Sequence, residues 1–135
     1  MIFLIDDEEG EKFGYYLNTE VVEKYWQRPG DPPVETDKKS FEFNLESNGR
    51  LPKPMKFEIK DVEIGGYTLF KKFYDLISLG EIYLRKENKK NESCCYQHED
   101  EFDYHGIKKA LCGKTYYYPD YENFTTKRII VIQMK

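Results

Sequence analysis

Leu69-Phe70-Lys71-Lys72-Phe73-Tyr74-Asp75-Leu76-Ile77-Ser78-Leu79-Gly80 is the stretch where the period of the chain changes from two to helical, and it decides for a mixed architecture. Leu69, Phe73, Leu76 and Ile77 recur at the three- and four-residue spacing that collects side chains on one face of a helix. Lys71, Lys72, Asp75 and Ser78 fall on the other face, and Gly80 stands where a helix commonly ends in a left-handed residue. The spacing predicts an amphipathic helix closed by Gly80.

On either side of this segment the period is two. Ile2 to Ile5 is an unbroken apolar run closed by acid, the pattern of a strand buried on both faces at the centre of a sheet. Phe13, Tyr15 and Leu17 suggest a second strand hairpinned to it after Gly10. Phe41, Phe43 and Leu45 alternate with Glu42 and Asn44, and Phe57 and Ile59 with Lys56, Glu58 and Lys60, giving two half-buried strands around a Ser47-Asn48-Gly49 turn. Ile82 to Leu84 reads as a strand entering a polar insertion at about 85–104. Arg128 to Met134 reads as a strand too apolar to lie on an edge, and pairing it with the first strand is the simplest arrangement. Two shorter helices are expected, one capped by Asn18 or Thr19 and running through Val21, Val22, Tyr25 and Trp26, the other at Ile107 to Leu111. The predicted class is α+β: a mostly antiparallel sheet of six or seven strands with two or three short helices, in a single domain over 1–135.

Composition limits what such a domain does. A chain of 135 residues suffices for one core, and 16% aromatic residues, 12 of them Tyr and 9 Phe, supply large apolar surface. The net charge of −4 argues against nucleic acid or an anionic membrane as partner. No stretch approaches the roughly 20 apolar residues of a membrane span, and the start, MIFLIDDEEGEK, resembles no export signal. Three cysteines, an odd number, speak for reduced thiols and hence for a cytoplasmic protein.

Every cysteine and histidine falls within a 19-residue window: Cys94, Cys95, His98, His105 and Cys112. Cys95 and His98 have the spacing with which a tight turn presents two ligands to one ion, and His105 with Cys112 would complete a tetrahedral zinc site. No other cofactor is expected. Cys94 or Cys95 beside His98 also offers a thiol and a base, although such groups usually meet through the fold rather than along the chain. Glu58-Ile59-Lys60 has the acid-x-lysine form of a metal-dependent nuclease strand, a triplet that composition alone supplies in a chain so rich in Glu and Lys. Gly65-Gly66 lacks the spacing of a phosphate loop.

The remaining features suit recognition. Acid is concentrated at Asp6, Asp7, Glu8 and Glu9 and again at Glu99, Asp100, Glu101 and Asp103, while Tyr116, Tyr118 and Tyr121 head an aromatic patch. Acidic segments steer towards a basic partner, and tyrosines anchor interfaces at low entropic cost. In size and composition the chain resembles polymorphic-toxin immunity proteins and phage-encoded inhibitors, without a motif that assigns it to either. The expected function is protein binding by surface complementarity, the partner presenting a basic surface. The alternatives are a zinc-stabilised module or enzyme built on the 94–112 cluster, and a self-associating viral accessory protein.

Overall fold

Alternation, not helical period, governs the described residues. In the computed structural model, which describes residues 1–19, 37–60, 67–69, 75–112 and 121–135, the segments with period two form strands. They are β1 (Ile2–Asp7), β2 (Lys12–Tyr16), β3 (Phe41–Glu46), β4 (Met55–Glu58), β5 (Tyr67–Leu69), β6 (Asp75–Leu79), β7 (Ile82–Arg85), β8 (Ser93–Tyr96), β9 (Tyr121–Phe124) and β10 (Thr126–Ile132). Two five-stranded antiparallel sheets result: sheet A, in the order β10-β1-β2-β3-β4, and sheet B, in the order β5-β6-β7-β8-β9. The one helical segment among the described residues is a kinked 3₁₀ stretch at Glu87–Glu92, so the α+β expectation gives way to a mostly β fold.

The correction falls on the decisive stretch. Asp75–Leu79 is β6, and Leu79 pairs with Ile82 across a two-residue hairpin in which Gly80 has φ +54°. A helix C-cap and this hairpin both require a left-handed residue, so Gly80 announces either with the same signal. Side-chain spacing was equally ambiguous, because adjacent apolar residues such as Leu76 and Ile77 satisfy a helical face and a buried strand alike. Residues 70–74 lie outside the described part. The helix expected at Ile107 to Leu111 is instead a chain of turns: His105, Gly106 and Lys109 all have φ between +54° and +73°, which a right-handed helix excludes. The helix expected over 18–26 falls mostly outside the described residues.

The inward faces of the sheets meet in one core that includes Phe3, Ile5, Phe13, Tyr15 and Phe57 from sheet A and Leu79, Ile82, Leu84, Cys95 and Phe124 from sheet B. Phe13 meets Phe124 edge to face at 4.9 Å. Only Thr125 separates β9 from β10, so the chain steps there from one sheet to the other, and the Thr125 carbonyl accepts the amide of Glu8. The 85–104 insertion is part of this frame, since β8 lies inside sheet B between β7 and β9. After β8 the chain crosses to sheet A: Ile59 bridges Phe102, Lys60 N–H donates to the Glu101 carbonyl at 2.8 Å, and Asp103 N–H to that of Glu58 at 2.8 Å.

β3 carries its polarity the unexpected way round. Glu42 and Asn44 point inward and are buried, while Phe41 and Leu45 line the outer face. The pleat permits this because each buried polar group is met: Tyr104 O–H and Glu81 N–H donate to Glu42, and Asn44 donates to the Leu111 carbonyl. The outer face of sheet A consequently reads, in cross-strand rows, Ile132-Ile2-Tyr16-Phe41, then Ile130-Leu4-Gly14-Phe43, then Arg128-Asp6-Lys12-Glu46. β1 is central, but only Phe3 and Ile5 of its apolar run enter the core, whereas Ile2 and Leu4 face outward. β10 pairs with β1 as suggested, yet it is the outermost strand of its sheet.

Candidate functional site

The hairpin that replaces the expected helix buries Glu81 beneath a polar cluster of side chains. Its amide is held by Glu42 Oε1 at 2.8 Å and its carbonyl by the Tyr96 amide at 2.9 Å, so the backbone of the turn is pinned from both sheets. A Cβ on Gly80 would come within 2.9 Å of Phe102, Glu42 and Tyr15, so glycine alone fits this crossing. The turn after β8, closed by the Glu101 and Phe102 amides on the His98 carbonyl, brings two further side chains over Glu81. His98 Nδ1 stands 2.9 Å from Glu81 Oε2 and 3.8 Å from Glu101 Oε1. The imidazole lies flat on Tyr96, with ring centroids 5.6 Å apart, and Tyr83 abuts Tyr96 edge on.

Burial sets the electrostatics. It drives the Glu101 carboxyl up to about 8, helped by its neighbour Glu81 and opposed by His98. Burial also raises Glu81, and it raises Glu42 strongly despite the hydrogen bond from Tyr104. Among the described residues, Glu81, His98 and Glu101 are the one set of three Cys, His, Asp or Glu side chains whose ligand atoms approach closely enough to share an ion.

The spacing of Cys95, His98, His105 and Cys112 suggests one tetrahedral site, but these four do not converge. Cys95 and Cys112 are neighbouring thiols inside the core, with Cys112 Sγ 3.4 Å from Glu122 Oε2. Burial pushes Cys112 up to about 11 and raises Cys95 as well, so both are held as thiols and are poor nucleophiles. His105 sits elsewhere, on the left-handed turn against the Phe57 ring and Asp103. The alternation of strand β8 explains the separation, since consecutive residues there point to opposite faces and Cys95 is committed to the core. Neither Glu81 nor Glu42 stands out in the sequence, because one falls between the expected helix cap at Gly80 and the strand from Ile82, and the other in the polar phase of an alternating strand. A lone acid directly after a turn glycine between apolar residues was the available signal.

The acidic and aromatic interface residues separate as well. Asp6 is buried against Arg128 at 2.8 Å. Asp7 is buried too, its Oδ1 accepting the amides of Glu9 and Glu11, while Glu8 and Glu9 are exposed at the turn. Glu99 and Asp100 are exposed, Asp103 is half exposed, and Glu101 belongs to the pocket. Tyr121 opens β9 opposite Tyr96, and Tyr116 and Tyr118 lie outside the described residues.

A second concavity, of about 500 Å³, lies on the outer face of sheet A and is lined by Ile2, Leu4, Phe41, Phe43, Leu45 and Ile132 with a few neighbours. Leu45 and Ile132 are each 44% exposed. Gly14 stands between Leu4 and Phe43 in the adjoining cross-strand row, and a Cβ there would run into the Phe3 carbonyl and stand 2.9 Å from the Phe43 ring. Comparison with protein-family models, with curated proteins and with solved structures finds no match for this chain.

Proposed function

We propose that this protein works by binding another protein through surface complementarity, as a toxin-neutralising immunity protein or a phage-encoded inhibitor does. The observation that carries the reading is the outer face of sheet A. A strand as apolar as β10 on a sheet edge, beside an open groove of Ile, Leu and Phe, exposes surface that folded domains ordinarily bury or use. Exposed Leu45, Ile132 and Met134 add to it.

The occupant that suits the groove is an apolar segment of a partner with basic residues around it. Charge complementarity supports this choice: the chain has a net charge of −4, and Glu8, Glu9, Glu99 and Asp100 are exposed. The anchoring surface thus shifts from the tyrosine patch to the apolar face, the acids still serving to steer association. Three thiols without a disulfide, two of them neighbours in the core, suit a reducing compartment such as the cytoplasm. Among the described residues no helix is long and apolar enough to cross a membrane.

The test is reconstitution. A partner captured from the native host is purified and titrated with wild-type protein, with Leu45→Glu and with Ile132→Glu, alongside native mass of the free chain. Saturable 1:1 binding that both charged variants weaken about a hundredfold or more, with unchanged circular dichroism, supports the reading. Undiminished affinity in both variants overturns it, and so does a native dimer that these variants dissociate, which would assign the face to self-association.

A further inference from the structure

We propose that Glu81, His98 and Glu101 form a mononuclear site for a borderline first-row divalent cation of the zinc type. Three features of the pocket carry it. The first is spacing: His98 Nδ1 lies 2.9 Å from a Glu81 oxygen and 3.8 Å from a Glu101 oxygen. Zinc ligands at about 2.1 Å in a tetrahedron are roughly 3.4 Å apart, so small rotations of these side chains place all three on one ion.

The second is an orphaned atom. Glu81 is 3% exposed, and its Oε2 is buried without a hydrogen-bond partner. His98 Nδ1 stands 2.9 Å from that oxygen as an ion pair and the Glu101 carboxyl adjoins it, so the groups nearest it are the two that would share an ion with it. Glu42, one layer deeper, shows what a satisfied carboxylate looks like here, with a tyrosine hydroxyl and a backbone amide on its two oxygens. A buried carboxylate oxygen aimed between an imidazole and a second carboxylate is what a cation would complete.

The third is the mixed donor set and its accessibility. One imidazole with two carboxylates matches zinc-type ions rather than the all-oxygen preference of calcium or magnesium. The site opens to solvent through His98, 50% exposed, which leaves room for a water or an exogenous ligand as fourth donor. The imidazole is already oriented by the stacked Tyr96.

The probes are the metals alone. Protein stripped with EDTA and dialysed is titrated with Zn²⁺ by calorimetry and with Co²⁺ by visible absorption. The expected result is one ion per chain, a cobalt spectrum lacking thiolate charge-transfer bands, and a loss of affinity of about tenfold or more in both Glu101→Gln and His98→Gln. Both side chains are partly exposed, so circular dichroism is expected to report a folded domain in each variant. The proposal is overturned by no saturable binding below about 1 mM. It is equally overturned by affinity that both variants leave intact, or by thiolate bands that move the ion to the cysteines.

Discussion

Between Asp6 and Glu11 three of the five carboxylates, Asp6, Asp7 and Glu11, are consumed by folding and Glu8 and Glu9 stay exposed at the turn, whereas between Glu99 and Asp103 only Glu101 of four turns inward. In the first segment Asp6 pairs with Arg128, Asp7 closes the turn on two amides, and Glu11 is gripped by Arg50 with Nη2 to Oε2 at 2.6 Å. In the second, Glu99 and Asp100 are exposed, and Glu101 alone turns inward to meet Glu81 and His98. The two segments are equally acidic as sequence. What separates them is backbone: the first lies on a central strand and its hairpin, where every other residue faces protein, and the second on a turn that only touches the edge of sheet A. An acidic run is therefore a candidate docking face only where the pleat does not claim it.

The strongest way to break this comparison is at Arg50. Its guanidinium meets both oxygens of Glu11, which is 4% exposed, so Arg50→Ala leaves a buried carboxylate uncompensated. A loss of about 3 kcal/mol in denaturant unfolding is expected. Asp7→Ala removes the acceptor for the Glu9 and Glu11 amides and is expected to cost about 1–2 kcal/mol by the same measurement.

The next prediction turns on pH. Burial raises Glu101 to about 8 and Glu122 to about 7 in the folded state, against the ordinary value of 4.5 in the unfolded chain. The folded state then holds protons that the unfolded state has released, so stability is full below about pH 4.5 and falls as pH rises towards 8. Thermal unfolding between pH 5 and 8 is expected to show a declining midpoint in metal-free protein. Glu101→Gln should flatten the upper part of that decline and leave a residual slope from Glu122. A flat profile in the wild type would mean that the pocket does not hold its proton.

The smallest effect on stability belongs to the exposed pair. Glu99→Lys with Asp100→Lys is expected to change unfolding free energy by less than about 0.5 kcal/mol, while slowing association with a basic partner and weakening its salt dependence. A stability loss comparable to that of Asp7→Ala would erase the distinction between the segments.

Much of sheet A was legible. The strands at Ile2 to Ile5, Phe13 to Leu17, Phe41 to Leu45 and Arg128 to Met134 follow from alternation and apolar runs, whereas the pairing of the first with the last, which the structure shows, is from sequence a guess that no pattern requires. The candidate pocket was not legible, apart from His98 and Glu101 as separate members of other groupings. Its floor, Glu81, lay under a helix reading that Gly80 and the adjacent Leu76 and Ile77 supported as well as they support a hairpin.

By itself the sequence determined which segments alternate and where turn residues stand, because both follow from local sterics. Which of two faces each strand turns to the core was decided only in three dimensions. Glu42 is buried and Phe41 faces outward because Tyr104 and the Glu81 amide, both distant in sequence, supply the hydrogen bonds that make a buried carboxylate tolerable. The same long-range closure gathers Glu81, His98 and Glu101, and disperses the four residues whose spacing had suggested zinc.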